Sequence, residues 1–215
     1  MSDAFSTMVF LALSGGFQDA YTFFMRGRVF ANAQTGNVVL MSERLFHADL
    51  AGSLRYFFPL LAFALGVMGT QHLRHRLRGR RGMHWRQWVV LAEAAILALV
   101  GFLPESQNAL ANALVSFSCA MQVQAFRKVN GSAYASTMCI GNLRSGAEAL
   151  EAYLRTRDAD VLRMALRYLS VLALFALGAG VGGLLCPALG LGSIWICCAW
   201  LLASFGLMFL PAEQE

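Results

Sequence analysis

The sequence predicts an all-α polytopic membrane protein, built from two tandem repeat units that pack about a pseudo-twofold axis. Three observations support this fold class. The 215 residues are 58% hydrophobic and only 13% charged, whereas a soluble domain carries about 25% charged residues. Uncharged runs such as 106–126 and 168–212 are long enough to cross a hydrocarbon core, which needs about 20 residues of helix. Finally, several motifs occur twice in the same order.

The repeat is defined by short motifs separated by a nearly constant offset. Gly36-Asn37 recurs as Gly141-Asn142, 105 residues later. Further matches pair Arg55-Tyr56 with Arg167-Tyr168, Phe63-Ala64-Leu65-Gly66 with Phe175-Ala176-Leu177-Gly178, and Phe102-Leu103-Pro104 with Phe209-Leu210-Pro211. We therefore divide the single membrane domain, residues 1–215, into unit 1 (4–104) and unit 2 (107–211). Duplicated membrane units usually place their working site at the interface between copies.

Six strong transmembrane helices are predicted. The first apolar run, Ala4–Met25, has no basic segment before it and contains Gln18 and Asp19, so we interpret it as a retained span and not a signal peptide. The remaining spans are predicted at about 55–72, 87–104, 107–126, 167–186 and 193–210, with a Pro/Gly break near Pro187–Gly192 between the last two.

Two motif-bearing segments, 29–46 and 134–154, leave the span count open. If neither crosses, each unit has three spans and the two units are inverted. If both cross, there are eight spans and the units run parallel. Counting arginines by the positive-inside rule favours the three-plus-three arrangement with both termini in the cytoplasm. Helix length slightly favours crossing for the first segment but not for the second.

The net charge of +5 comes almost entirely from arginine, and residues 72–86 hold six arginines and three histidines. A nucleic-acid patch is conceivable, but between two spans such a run is typical of a cytoplasmic loop. We predict no nucleic-acid partner. Anionic lipid head groups are the expected neighbours of this loop, at Arg74, Arg76, Arg78, Arg80 and Arg81.

The residues that could line a substrate pathway are polar side chains within apolar sequence. They are Asp19, Asn32, Gln34, Thr35 and Asn37 in unit 1, with Gln124, Asn142 and Arg144 in unit 2. A charged group inside a span costs about 2.5–3.5 kcal/mol on insertion scales and normally faces a cavity or a partner. Asp19 therefore lines a pathway, or it caps its helix and pairs with Arg26 or Arg28.

The repeated Gly-Asn dipeptides suit close backbone approach and amide hydrogen bonding, so Asn37 and Asn142 either satisfy backbone groups freed by a helix break or contact a ligand. Glu93 aligns with Trp200 and is specific to unit 1. In an apolar span it needs a proton or a cationic partner, so Asp19 and Glu93 are candidates for proton coupling, with a structural hydrogen-bonded Glu93 as the alternative. Arg144 is a candidate anion-binding cation or an interfacial arginine that extends to the head groups.

Signatures of enzymes and metal sites are absent from the sequence. It contains no P-loop, H-E-x-x-H or G-x-S-x-G pattern, and we predict neither catalytic activity nor a cofactor. The five cysteines lack CxxC spacing, and His72 and His75 have no carboxylate near them in sequence, so we predict no metal.

The stretches Gly15–Tyr21, Val29–Asn32 and Thr35–Leu40 resemble the YoaK-like family of uncharacterised bacterial inner-membrane proteins, as do Met121–Lys128 and Gly141–Ser145. The resemblance covers essentially the whole chain and implies a multi-pass protein of the bacterial inner membrane, without a substrate. Where this chain has Gln124 and Ile140, the family tends to have Asn and Thr. If that Thr hydroxyl binds a ligand, the function here is altered or the site lies in unit 1.

Two hypotheses for function follow. The first is a small secondary permease or exporter of a small molecule, with its site between the units; its small size suggests a homodimer. The second is a non-transporting scaffold or accessory protein whose basic loop docks a partner or anionic lipid. A permease should have a polar-lined, partly open cavity faced by Asp19 and Asn37, whereas a scaffold should pack these side chains dry.

Overall fold

The computed structural model describes residues 5–77, 83–129, 132–133 and 139–209, and these are almost entirely helical. Their helices are α1 (Phe5–Met25), α2 (Gln34–Phe46), α3 (Leu50–Leu77), α4 (Trp85–Val100), α5 (Asn108–Ala125), α6 (Cys139–Thr156), α7 (Ala159–Leu189) and α8 (Trp195–Leu207). A small antiparallel hairpin of β1 (Lys128–Val129) and β2 (Ser132–Ala133) follows α5. Two stretches, Leu50–Leu77 and Ala159–Leu207, are long and apolar enough to cross a membrane by length and composition.

Several helices extend beyond their predicted spans because capping, and not hydropathy, sets their ends. Asp49 accepts a hydrogen bond from the Gly52 amide (2.8 Å) at the start of α3, five residues before the predicted span. Asp158 accepts from the Asp160 amide (2.8 Å) and starts α7 eight residues early. A break occurs within the predicted stretch Pro187–Gly192: α7 runs through Pro187 and ends at Leu189, and the turn follows at Gly190, whose φ of +67° favours glycine.

The segment 29–46 is helical only in its second part. Residues 29–33 are non-helical, and α2 has 13 residues, or about 20 Å of helix, against the roughly 30 Å of a hydrocarbon core. In the second segment the helix is α6, which begins at Cys139 and carries charged residues in its later turns. Residues 134–138 of that prediction lie outside the described residues.

The long helices pack in two matching pairs that run in the same direction. Helix α7 lies along α1, with Gly178 against the Leu13 backbone and Gly182 against Phe17 and Ala20. Helix α3 lies along α5 in the same way, with Gly66 against the Phe117 backbone. Glycine is required at both crossings, because a Cβ on Gly66 would lie 2.6 Å from the Phe117 carbonyl oxygen and one on Gly178 would be closer still to that of Leu13.

The remaining contacts also occur in matching sets. Helix α8 packs on α1 and α4 packs on α5, while α4 and α8 pack on each other. The short helices α2 and α6 pack on α3 and α7, the long helices that follow them. A buried apolar core fills the space between α1, α4, α5 and α8; its largest members include Leu11, Phe17, Tyr21, Leu97 and Leu201.

Candidate functional site

The segment between α1 and α2 turns back into the bundle. It reverses direction at Gly27, whose φ is +85°. The Asn32 side-chain amide then donates to the Gly15 carbonyl (3.1 Å), and the Ser116 hydroxyl donates to the Ala31 carbonyl (3.1 Å). Gly15 and Ser116 lie near the middles of α1 and α5. The segment therefore reaches about half-way along the bundle, and α2 begins there instead of at one end.

Asp19 binds the backbone of this segment between α1 and α2, which we call the re-entrant segment. Its carboxylate accepts a 2.7 Å hydrogen bond from the Asn32 backbone amide, and the residue is 8% exposed. It forms no ion pair with Arg26 or Arg28, so the helix-end pairing considered from sequence does not occur in the structure. The start of α2 thus lies near the middle of the bundle.

A layer of buried polar side chains surrounds Asp19 at this level. The Gln18 amide donates to Ser14 (2.9 Å), and the Cys119 thiol donates to the Gln18 carbonyl oxygen (2.9 Å). Glu93 is fully buried beside Gln18 and Ser118. Neither Glu93 carboxyl oxygen has a hydrogen-bond partner among the described residues, and the same holds for the Ser118 hydroxyl.

The chemistry available to this layer follows from its unmet hydrogen bonds. Within the described part of the chain, neither Asp19 nor Glu93 forms an ion pair. An ionised carboxylate buried without a counter-ion is costly, so such a group holds a proton, water or a bound cation. The side-chain carbonyl oxygen of Asn32 is also buried and unpartnered, which adds an acceptor. Across residues 5–77, 83–129, 132–133 and 139–209, no group of three metal-ligating side chains comes together.

The first Gly-Asn motif fastens the re-entrant segment to α2. Asn37 is fully buried; its side-chain oxygen accepts from the Phe30 amide (3.0 Å) and its side-chain nitrogen donates to the Phe30 carbonyl (2.7 Å). The same nitrogen donates to Gln34 (2.9 Å). Gly36 leaves room for the Phe30 ring, which would lie 2.9 Å from a Cβ there. Thr35 is exposed. The partner of Asn37 therefore lies in its own unit, not across the pseudo-twofold axis.

The candidates of unit 2 are distributed differently. The Gln124 amide donates to Gln71 (3.0 Å), joining α5 to α3 near their last turns and away from the Asp19 layer. Arg144 is exposed and pairs with Glu148 (2.9 Å) one turn along α6. Asn142 is buried at the start of α6. The structure thus brings together Asp19, Asn32 and Glu93, and it leaves Gln124 and Arg144 apart from them.

Sequence reasoning missed the role of Arg26, which is the largest fully buried side chain. All five of its N–H donors are used inside the protein. Their acceptors are the Tyr21 hydroxyl (2.9 Å), the carbonyls of Val100 (2.9 Å), Leu103 (2.9 Å) and Pro104 (3.2 Å), and the Asn108 side chain (3.0 Å). At the end of α4, the guanidinium donates to the Leu103 carbonyl and is a second donor to the carbonyls of Val100 and Pro104, which also accept from backbone amides. The repeated Leu-Pro marked that helix end, but nothing in the sequence linked it to an arginine 74 residues earlier.

Comparison with known proteins adds a family but no activity. Residues 7–207 match the family described as "Protein of unknown function (DUF1275)". Neither a curated protein nor a solved structure matches the chain.

Proposed function

We propose that this chain, which belongs to the DUF1275 family, is a small multi-pass permease or exporter that moves a small molecule through the polar layer at its centre. Within this proposal, the protein is a YoaK-like member of the bacterial inner membrane that crosses it six times, with both termini in the cytoplasm. A homodimer suits its small size.

The helix pairing supports an inverted repeat. The largest helix contacts have counterparts when the units are exchanged: α1 with α7 corresponds to α5 with α3, and α2 with α3 corresponds to α6 with α7. Because α1 leads into a segment that turns back, α3 runs opposite to α1 and alongside α5. Large apolar side chains on the outer faces of α3 and α7 are exposed, as expected for lipid contact; they include Phe57, Leu61, Met68, Leu166, Leu177 and Leu184.

One observation carries the transport proposal, namely a layer of unsatisfied polar groups at the mid-height of an apolar bundle. Both Glu93 oxygens and the Asn32 side-chain oxygen lack a partner in good hydrogen-bond geometry, although Gln18 and Ser118 lie beside Glu93, and the segment that leads into α2 binds Asp19. Stable scaffolds rarely retain buried acceptors without partners, because each costs about 1–3 kcal/mol. Half-helices that begin at the midplane are a recurring way for transporters to build a binding site.

A proton-uptake measurement tests whether Asp19 and Glu93 carry protons in the proposed transport. The full chain is reconstituted into vesicles that enclose a pH-sensitive dye, and the external pH is lowered in one step. We expect protein-dependent acidification that Glu93→Gln and Asp19→Asn each slow by about tenfold or more. Glu148→Gln serves as the matched control because Glu148 is exposed on α6. Equal rates for wild type and both core variants would remove Asp19 and Glu93 from the mechanism.

Reporter fusions test the six-span topology. If α2 turns back, Ala48 and Glu105 lie on the same side of the membrane, outside, and a periplasm-active phosphatase fused after either residue is active. In the eight-span arrangement both fusions lie in the cytoplasm and are inactive. A fusion after Asp158 is cytoplasmic in either arrangement and serves as the control for expression.

A second candidate function, the non-transporting scaffold, is favoured by the burial of both Asp19 and Asn37, which is the arrangement expected above for a scaffold, and by Arg26, whose donors are all used inside the protein. Its proposed lipid-docking loop begins with Arg74, which lies over the Trp85 ring, and Arg76, which is exposed. The remaining three arginines, Arg78, Arg80 and Arg81, lie outside the described residues. An untargeted comparison of metabolites in deletion and overexpression strains separates the candidates, since a scaffold that moves nothing leaves both pools unchanged.

A further inference from the structure

A cavity of about 370 Å³ lies where α1 ends and where α3 and α5 begin. Its polar wall is formed by Arg26, Arg55, Glu105, Ser106, Asn108 and Asn112. Leu54 and Phe58 provide an apolar wall on α3. The volume falls in the range of small-molecule sites, which combine apolar walls with a few convergent polar groups. In the six-span topology this cavity opens to the outer face.

The cationic side of the cavity has one arginine with free donors and one without. Arg26 contributes its charge, but all five of its donors are used inside the protein. Arg55 makes only a long hydrogen bond, 3.4 Å, to the Gly27 carbonyl. Among the described residues its other donors make no hydrogen bond, and its charge also acts on the Asp49 carboxylate. The first turns of α3 and α5 line the same space, and the positive ends of their dipoles favour a negative group there.

Acceptors with unmet capacity line the same cavity. Glu105 is exposed and forms no ion pair within the described part of the chain, although Arg55 lines the cavity with it. Asn112 is 1% exposed; its side-chain nitrogen donates to the Arg26 carbonyl (2.8 Å), while its side-chain oxygen has no partner. The Asn112 oxygen is itself buried, so Glu105 is the carboxylate of the wall that an ammonium group, with its three donors, can reach.

We infer that this cavity binds a zwitterionic solute of the α-amino-acid class, with its carboxylate on Arg55 and its ammonium on Glu105. Leu54 and Phe58 then contact the solute's side chain. This inference rests on the proposed function, and it adds the class of solute and the position of an outer binding site. Binding itself is measurable without transport.

The test measures binding to the purified full chain in lipid nanodiscs by calorimetry. The probes are glycine, L-serine and L-leucine, then leucinamide, which lacks the carboxylate, N-acetyl-leucine, which lacks the ammonium, and inorganic phosphate. We expect at least one neutral amino acid to bind. Removal of either charged end should weaken the binding of L-leucine about tenfold or more, because each end loses a charge-assisted contact.

Charge-removing variants assign each end of the solute. Arg55→Gln should weaken N-acetyl-leucine and L-leucine but not leucinamide, and Glu105→Gln should weaken leucinamide and L-leucine but not N-acetyl-leucine. Arg28→Gln removes an exposed arginine of the same loop that is not part of the cavity wall, and it should change nothing. If Arg55→Gln unfolds the protein, Arg55→Lys retains the charge and should keep most of the affinity.

Two results overturn the inference. One is that no neutral amino acid binds; the other is that phosphate and N-acetyl-leucine bind as tightly as L-leucine, which indicates a simple anion site. The same measurements, combined with flux in vesicles, test the proposed function separately from this inference. Amino-acid binding without flux in vesicles contradicts transport and leaves the site intact, whereas flux without amino-acid binding contradicts only this inference.

Discussion

Alanine at Gly178 should force α1 and α7 apart, whereas alanine two residues later should not. A Cβ at Gly178 would lie 2.8 Å from the Leu13 carbonyl carbon and nearer still to its oxygen. Because ordinary contacts begin near 3.4 Å, the two helices would have to separate by roughly 1 Å along a tightly packed face. Overpacking of this kind costs about 1–3 kcal/mol. We place Gly178→Ala at about 2–3 kcal/mol, since the Gly182 contact loosens with it.

Gly180 provides the matched control on the same helix. It is exposed, and a Cβ there meets nothing within 4 Å. Gly180→Ala should therefore be neutral or stabilise by up to about 1 kcal/mol, because alanine favours helix. The free energy of unfolding is measured by SDS titration in mixed micelles, followed by tryptophan fluorescence. A difference of about 2 kcal/mol between the variants corresponds to roughly a 30-fold change in the folding equilibrium.

The same experiment extends to the other pair of helices. Gly66→Ala should destabilise the α3–α5 contact by a similar amount, and Gly69→Ala, which makes only an ordinary 3.8 Å contact, should not. Equal unfolding free energies for Gly178→Ala and Gly180→Ala, to within about 0.5 kcal/mol, would refute the crossing argument, because surface substitutions differ by no more than that.

Three further predictions concern the clamps that hold the loops. Asn37→Ala should lower the free energy of unfolding by about 2–3 kcal/mol, because the backbone amide and carbonyl of Phe30 lose their side-chain partner. Thr35→Ala, at an exposed position nearby, should change it by less than about 0.5 kcal/mol in the same titration. Arg26→Gln should cost at least about 3 kcal/mol because several buried carbonyls lose a donor, and Arg28→Gln should be close to neutral; similar melting temperatures would contradict this. The Gly52 amide and then Arg44 hold the pKa of Asp49 below its usual value of 3.8. The stability that Asp49 contributes is therefore present above about pH 4 and is lost as the pH falls through its folded pKa. Asp49→Asn should lose less stability in acid than the wild type, as measured by melting curves at pH 3 to 6.

Local patterns accounted for the helices but not for their ends. The predicted span at 55–72 lies inside the helix Leu50–Leu77, and the extra turns at its end carry Arg74 and Arg76. A hydropathy span stops near charged residues, whereas a helix continues until its backbone meets a cap such as Asp49. Within the predicted break at 187–192, α7 is ended at Gly190 and continues through Pro187. Near the end of a long helix its missing donor is tolerated, and Gly190 supplies the turn.

The candidate site was predicted in part. Asp19 and Asn32 were selected because polar groups in apolar sequence need partners, and the structure places them in contact. Glu93 was selected on its own, with no indication of its neighbours. Ser118 and Cys119 attracted no attention, since small residues of this kind are ordinary in apolar helices. Their position in the same layer depends on how α4 and α5 cross, and periodicity does not record that crossing.

The sequence by itself predicted the helical class of the chain, the position of most of its helices with ends that differ by up to eight residues, and the repeated glycines and asparagines. These are local properties, because helix formation depends on residues within a few positions. Only the tertiary structure decided that residues 26–33 turn back into the bundle, that Asn37 holds Phe30, and that Arg26 binds the end of α4. In each case a buried polar group is paired with a partner that is distant in the chain. Such partners come within hydrogen-bonding distance only after the helices have packed.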